Sequence, residues 1–289
     1  MAIDIKTFFD QQTSTFTHVV SDQATQKAAV IDAVLNYDQF SGQSGTTSVD
    51  EVVDYIQTNQ LTVQWVLDTH IHADHITGTQ VIHDKLGGQI GIGAHITDVL
   101  AFWTPIFNTG HDTDLDGSQF DVMFADGHVF KLGEVDIKVI YTPGHTPACI
   151  SYLIEDAIFV GDTLFMPDIG TARTDFPGGS AAMMYDSVQK ILALPESTRI
   201  FHCHDYPPTD RPIQWTSTVA EHKKHNVMVR DDISKDAYIQ MRNARDHGKA
   251  VPQMLLPSIQ ANLRAGTFGK PENNGTQYIK IPVDKLDKS

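Results

Sequence analysis

Cysteine is scarce, with only Cys149 and Cys203 in 289 residues. Two thiols cannot build a disulfide framework, so the chain suits a reducing compartment. Positive charge is also short: 21 Lys and Arg against 36 Asp and Glu give a net charge of −15. Such a field repels polyanions, which argues against nucleic acid and against membrane surfaces as partners. A small anionic substrate needs only a local cationic patch and stays admissible. No apolar run approaches the ~18 residues of a membrane-spanning helix. Met1 to Asp10 hold no basic segment followed by an apolar one, so no export signal is read and the expected location is cytoplasmic. No repeat or low-complexity linker stands out. Hydrophobic residues at 41% and charged residues at 20% are ordinary for a folded chain with a full core.

What the sequence has in surplus is histidine, 14 in all, and its setting is a regular mixture of strands and helices. Hydrophobic patterning gives strands over 16–20, 28–31, 61–67 and 89–94. It gives further strands over 128–132, 135–141, 149–154, 157–160 and 199–203. A capping-box spacing at Ser48–Glu51 starts a helix that runs to about Asn59. Another helix covers 79–86 and closes on Gly87-Gly88. More helices are read at 97–103, 180–194, 215–229 and 234–246. The segment 107–127 is acidic and glycine-rich and reads as a surface loop. The expectation is one α/β domain over 1–289, built from two sheets with helices outside. A helical C-terminal extension follows from about 215.

The segment Asp68-Thr69-His70-Ile71-His72-Ala73-Asp74-His75 follows the 61–67 strand directly. His70 and His72 alternate on extended backbone, so they project to one side and reach one ion. Asp74 and His75 stand where the chain turns away and face a neighbouring position. His145, Asp162 and His204 each lie just past the end of another apolar strand. Rigid strand ends deliver such side chains to a shared edge with little freedom, as a metal site requires. Imidazole and carboxylate suit zinc, iron or manganese. The remaining histidines read as ordinary packing or surface residues, and so do Cys149 and Cys203 despite lying near His145 and His204.

These motifs resemble the metallo-β-lactamase superfamily over nearly the whole chain, and the resemblance implies an αββα sandwich with a metal site at one edge. A narrower likeness is to its persulfide dioxygenase (sulfur dioxygenase) branch. It is carried by Thr69–Gly78, Thr142–Cys149, Phe159–Phe165, Ala172–Gly179 and His204-Asp205-Tyr206. Asp116–Asp121 and Leu256–Gly266 resemble a bacterial Blh-like subgroup of sulfide-detoxification operons. Some members carry an extra rhodanese-like or phosphatase-like module, and neither is expected within these 289 residues. The resemblance implies one Fe(II) per chain, held by His70, His145 and Asp162. The implied reaction oxidises glutathione persulfide with O2 and water to sulfite and glutathione. His72, Asp74, His75 and His204 would then steady the ligands or hold a second metal. Arg173, Tyr206 and Arg211 are the candidates for binding the substrate's carboxylates.

The main alternative is a dinuclear zinc hydrolase of the glyoxalase II thioesterase or lactonase type. It would place His70, His72 and His145 on one ion and Asp74, His75 and His204 on the other, bridged by Asp162. The sequence keeps every ligand that either chemistry needs. A redox sensor built on the two cysteines would require a low-pKa exposed thiol. A homodimer through the helical segment after 215 and the 258–266 stretch is a further expectation.

Overall fold

The computed structural model describes residues 2–208 and 211–285. The first half of the chain forms β1 (Ile3–Asp10), β2 (Thr15–Asp22), β3 (Lys27–Ile31), β4 (Val34–Asp38) and β5 (Gln43–Gly45). It continues through α1 (Thr47–Thr58), β6 (Thr62–Leu67), β7 (Ile76–Thr77), α2 (Thr79–Leu86), β8 (Gln89–Gly93) and α3 (Ile96–Phe107). The second half forms β9 (Val122–Phe124), β10 (Val129–Leu132), β11 (Val135–Tyr141), β12 (Ile150–Ile154) and β13 (Ala157–Phe159). After a 3-10 turn at Gly161–Thr163 come α4 (Ala181–Leu192), β14 (Arg199–Phe201), β15 (Thr216–Thr218) and α5 (Val219–His225). Two last helices are α6 (Lys235–Asp246) and α7 (Leu255–Asn262).

Two six-stranded sheets run in the orders β1-β2-β3-β6-β8-β9 and β10-β11-β12-β13-β14-β15. The inner strands read as continuous apolar runs because both of their faces are covered. In β3, Ala29 and Ile31 face the other sheet while Ala28 and Val30 face the helices. In β13, Ala157 and Phe159 face inward while Ile158 packs outward against α4. The inter-sheet core gathers Trp65, Leu67, Phe124, Phe130, Tyr152 and Phe159. One outer layer packs α1 and α2 on the first sheet through Val49, Val52, Ile56 and Ile82. The other packs α4 and α6 on the second sheet through Met184, Val188, Ile191 and Tyr238. The four layers make an αββα sandwich, as expected.

Several local expectations are corrected. Ser48 does not cap α1: the N-cap is Thr46, and the Ser48 hydroxyl instead donates to Asp10 Oδ2 at 2.8 Å. The helix read at 97–103 extends to Phe107, through Pro105, because Trp103 and Phe107 stack at 5.6 Å inside the core. The acidic segment 107–127 is not all loop: β9 adds to β8 in parallel, and Asp121 accepts a hydrogen bond from Ile90 N. The helix read at 215–229 begins as strand β15, paired with β14, so the second sheet reaches past 215. Its helical part starts at the Thr218–Glu221 capping box, and the helical extension therefore follows β15. The 258–266 stretch is no dimer surface, since Ser258 through Ala265 are buried within the chain.

Two buried histidines stitch the sheets together. His18 of β2 donates from Nε2 to His202 O at 3.0 Å and accepts at Nδ1 from Thr7 Oγ1 at 3.0 Å, and its ring packs on Phe159 and Phe201. His202 bonds Leu164 O and Ser217 Oγ. Burial outweighs their hydrogen bonds and lowers both to about 4, so both are neutral at pH 7. Their ordinary value in the unfolded chain is 6.5. Between about pH 6.5 and 4 the unfolded chain therefore binds more protons, and stability falls with acid. The loss expected is on the order of 3 kcal/mol per histidine. Urea unfolding as a function of pH checks this. His18→Gln should remove about one proton from the slope in that window, and an unchanged slope would refute it.

Candidate metal centre

Four chain segments meet at one edge of the sandwich. The end of β6 supplies Asp68 to His75, the β11–β12 connection supplies His145, the turn after β13 supplies Asp162, and the chain past β14 supplies His204. The structure brings all seven sequence-chosen residues together, in two groups. His70, His145 and Asp162 offer ligand atoms within 4.8 Å of one another, and so do His72, Asp74, His75 and His204. Asp162 stands between them. Its Oδ2 is 3.6 Å from His145 Nε2 and 4.0 Å from His70 Nε2, and its Oδ1 is 3.4 Å from His204 Nε2. His72 clusters here with Asp74, His75 and His204, and its ring also lies 4.2 Å, centroid to centroid, from that of His70. The approach of Asp162 depends on Gly161, whose φ is +49°. A Cβ there would lie 2.3 Å from Thr69 Oγ1.

Each imidazole is held from behind. His145 Nδ1 donates to the Arg173 carbonyl at 2.8 Å, and His204 Nδ1 donates to Ser14 O at 3.2 Å. A carbonyl only accepts, so Nδ1 is the donor in each ring and Nε2 is the nitrogen turned inward. Thr69 Oγ1 donates to Asp32 and so accepts from His70 Nδ1 at 3.0 Å, which leaves His70 Nε2 basic. His72 is reversed: Nε2 donates to Asp32 Oδ1 at 3.1 Å, and Nδ1 is the free atom. Such outer bonds fix the tautomer and aim the inner nitrogen, the usual support of metal-binding histidines.

The inner atoms lack partners. His70 Nε2, His72 Nδ1, Asp74 Oδ2, His75 Nε2, Asp162 Oδ1 and His204 Nε2 are all buried without a hydrogen bond. Asp74 Oδ2 and His204 Nε2 approach to 3.1 Å, but not in hydrogen-bond alignment. An unsatisfied buried polar atom costs roughly 1–3 kcal/mol, so six in one place call for a cation. Burial, with His72 and His145 nearby, holds His70 well below its ordinary value, which keeps its lone pair free. Burial opposes the charge on His72, but Asp32 and Asp68 overcome it and hold that ring well above its ordinary value. Burial likewise opposes the charge on Asp74, and His204 and His75 overcome it. A metal ion at Nδ1 of His72 would take the place of that ring's second proton. The residues present fit a metal in either group.

A cavity of about 320 Å³ opens on this edge, lined by Asp74, His145, Asp162, Phe165, Arg173, Phe176 and Tyr206 among others. Tyr206 stacks on His204 at 5.6 Å and is 44% exposed. Arg173 lies in the wall, but its guanidinium forks onto Asp175 with two 2.6 Å bonds and also donates to Ala250 O. Its nearest link to the site is its carbonyl under His145. Arg211 is set apart: it forks onto both Asp168 and Asp205 and donates to Pro212 O, so every N–H is spent. The expectation that Arg211 meets substrate is corrected on that geometry. Sequence reasoning missed the cations that do line the cavity from α6 and beyond, Arg242, Arg245 and Lys249.

Two further residues were missed. Asp32, at φ +54° just past β3, binds Thr69 N, Thr69 Oγ1 and His72 Nε2. An acidic residue closing an apolar strand was the same signal that found Asp162. Asn262 of α7 donates to His72 O and His75 O and accepts from Thr77 N; it lies in the 256–266 stretch noted for its family likeness, but nothing in that stretch pointed to this role. Cys149 is buried against Thr146, and burial pushes its thiol up to about 12, so it is no thiolate. Asp32→Ala should weaken metal binding about 10–100-fold, as read by titration against a chromogenic chelator. His145→Ala and Asp162→Ala should retain no metal on gel filtration, and Cys149→Ser should retain it as the parent does.

Residues 14–204 match the family described as the metallo-beta-lactamase superfamily. The chain is 46% identical to Glyoxylase B2 of Dictyostelium discoideum over 286 residues, covering 98% of this chain and 97% of that one. It is 28% identical to the mitochondrial persulfide dioxygenase of Mus musculus over 270 residues, covering 92% and 90%. The crystal structure of ETHE1 from Myxococcus xanthus superposes with a TM-score of 0.73 at 28% identity, covering 91% of this chain and 100% of that one. With the four-layer fold and the clustered histidines, these likenesses place the chain in the metallo-β-lactamase superfamily.

Proposed function

We propose that the chain is an Fe(II) persulfide dioxygenase that converts glutathione persulfide, O2 and water to sulfite and glutathione. The observation that carries this reading is the His70–His145–Asp162 set, two imidazoles and one carboxylate beside a cavity. That donor set suits non-haem ferrous iron with open positions. When bound, the iron supplies the electron chemistry that joins sulfur to dioxygen. The chain's own residues do the rest. The Arg173 carbonyl aims His145, and Thr69 aims His70. Phe165, Ile169 and Phe176 give the cavity apolar walls that limit water. Arg245 and Lys249 bring positive charge to its lining, where the carboxylates of a glutathione moiety would lie. Tyr206 offers a hydroxyl at the mouth. The guanidinium of Arg173 acts mainly by holding Asp175 and stacking 5.1 Å over Phe176.

A second reading has its own support. Asp162 presents one oxygen to each ligand group, as a bridging carboxylate would, and the 46% identity is to a protein named Glyoxylase B2. A dinuclear zinc thioesterase would use the same seven residues. Anaerobic purification, metal analysis and an oxygen electrode separate the two. The expected result is about one iron per chain, oxygen uptake with glutathione persulfide, and sulfite as product. Two zinc ions per chain with thioester cleavage and no oxygen uptake would establish the hydrolase instead. Lys249→Ala should raise the KM for glutathione persulfide roughly tenfold, about one charge-assisted hydrogen bond, and leave metal content unchanged.

A further inference from the structure

A second cavity, also of about 320 Å³, reaches the candidate metal centre at His145. Its walls come from Ile71, Val99, Phe102, Trp103, Phe176 and Ile259. It shares Ala73, His145 and Phe176 with the charged cavity, so the two meet at a metal-site imidazole. The Phe176 ring stands edge-on to His145 at 5.0 Å and 84° and forms the partition. Asp98 is the one carboxylate in the lining, and it is engaged by His95 Nδ1 at 3.0 Å. A volume at the lower end of ligand pockets, ~300 Å³, suits one substituent rather than a whole substrate. Apolar walls, no free cation among the lining residues and direct access to His145 define the ligand chemistry.

We propose that this cavity is a subsite for an uncharged alkyl or aryl arm of the substrate, so that the centre accepts hydropersulfides of apolar thiols. The inference rests on the dioxygenase reading for its chemistry. One R–S–SH reacts with one O2 and one water to give R–SH, sulfite and two protons. The S–S bond breaks, the inner sulfur leaves with a proton, and four electrons pass from the outer sulfur to dioxygen. The arm lies between α3 and α7 while the persulfide end lies at His145.

The test is oxygen uptake with n-alkyl hydropersulfides from methyl to hexyl. Each added methylene should raise kcat/KM about fourfold until the cavity is filled. Val99→Phe, which fills the cavity, should flatten the series. Phe102→Ala, at a half-exposed wall with little folding risk, should lower the gain per methylene. A flat series in the parent protein, with glutathione persulfide still oxidised, overturns the subsite and leaves the function standing. If no persulfide is oxidised, the function reading fails and quenching of Trp103 fluorescence by 6-bromo-1-hexanol, whose bromine quenches indole on contact, decides the subsite, with Trp103→Phe as the control. Quenching that Val99→Phe removes supports an apolar arm site, and no quenching overturns it.

Discussion

The buried carboxylate of Asp32 is the reference point of the metal edge. It lies under the start of the histidine string and takes three hydrogen bonds from it: Thr69 N, Thr69 Oγ1 and His72 Nε2. Burial alone would raise its pKa, but His72 and Thr69 reverse that, so it stays ionised. A fixed negative charge at that place decides which His72 nitrogen faces inward. Through the Thr69 hydroxyl it decides the same for His70. The Gly161 turn then closes on Thr69 and carries Asp162 to the centre. The donor atoms that face one another thus depend on an acid that faces none of them.

Much of the fold was legible because both sheets are covered on both faces. Such strands appear as unbroken apolar runs, and the ligands sit at their ends. The string at 70–75 was legible because packing has no use for that density of polar side chains. What escaped has identifiable physical causes. β15 hides in a segment whose apolar spacing also fits a helix, and only pairing with β14 decides it. Pro105 suggests a stop, yet the stacked Trp103 and Phe107 carry α3 onward. The use of Arg211 depended on Asp168, 43 residues away in sequence. Asn262 sits in a stretch whose family likeness was visible, but its grip on the motif from 190 residues away was not.

The charge balance also reads differently in three dimensions. The net charge of −15 sets the far field, yet the cavity beside the candidate metal centre is lined by Asp74, Asp162 and Asp168 together with Arg173, Arg242, Arg245 and Lys249. Arg242 and Asp246 form a buried pair, and Asp246 also accepts from Thr174 N. That pair ties α6 to the loop whose Arg173 carbonyl supports His145. The local cations therefore serve structure first, and whatever positive potential they leave is confined to the cavity.

α7 holds the motif by its backbone. Asn262 grips the carbonyls of His72 and His75, and Thr77 N returns a bond to it. Seating of the helix and order of the ligand loop are thus a single equilibrium. Any ion that prefers the ordered loop also favours the seated helix, and reciprocity requires the seated helix to favour the ion by the same factor. Metal loading would then be felt some 190 residues downstream, as slower exchange of amide hydrogens in α7 and greater resistance of that segment to proteases.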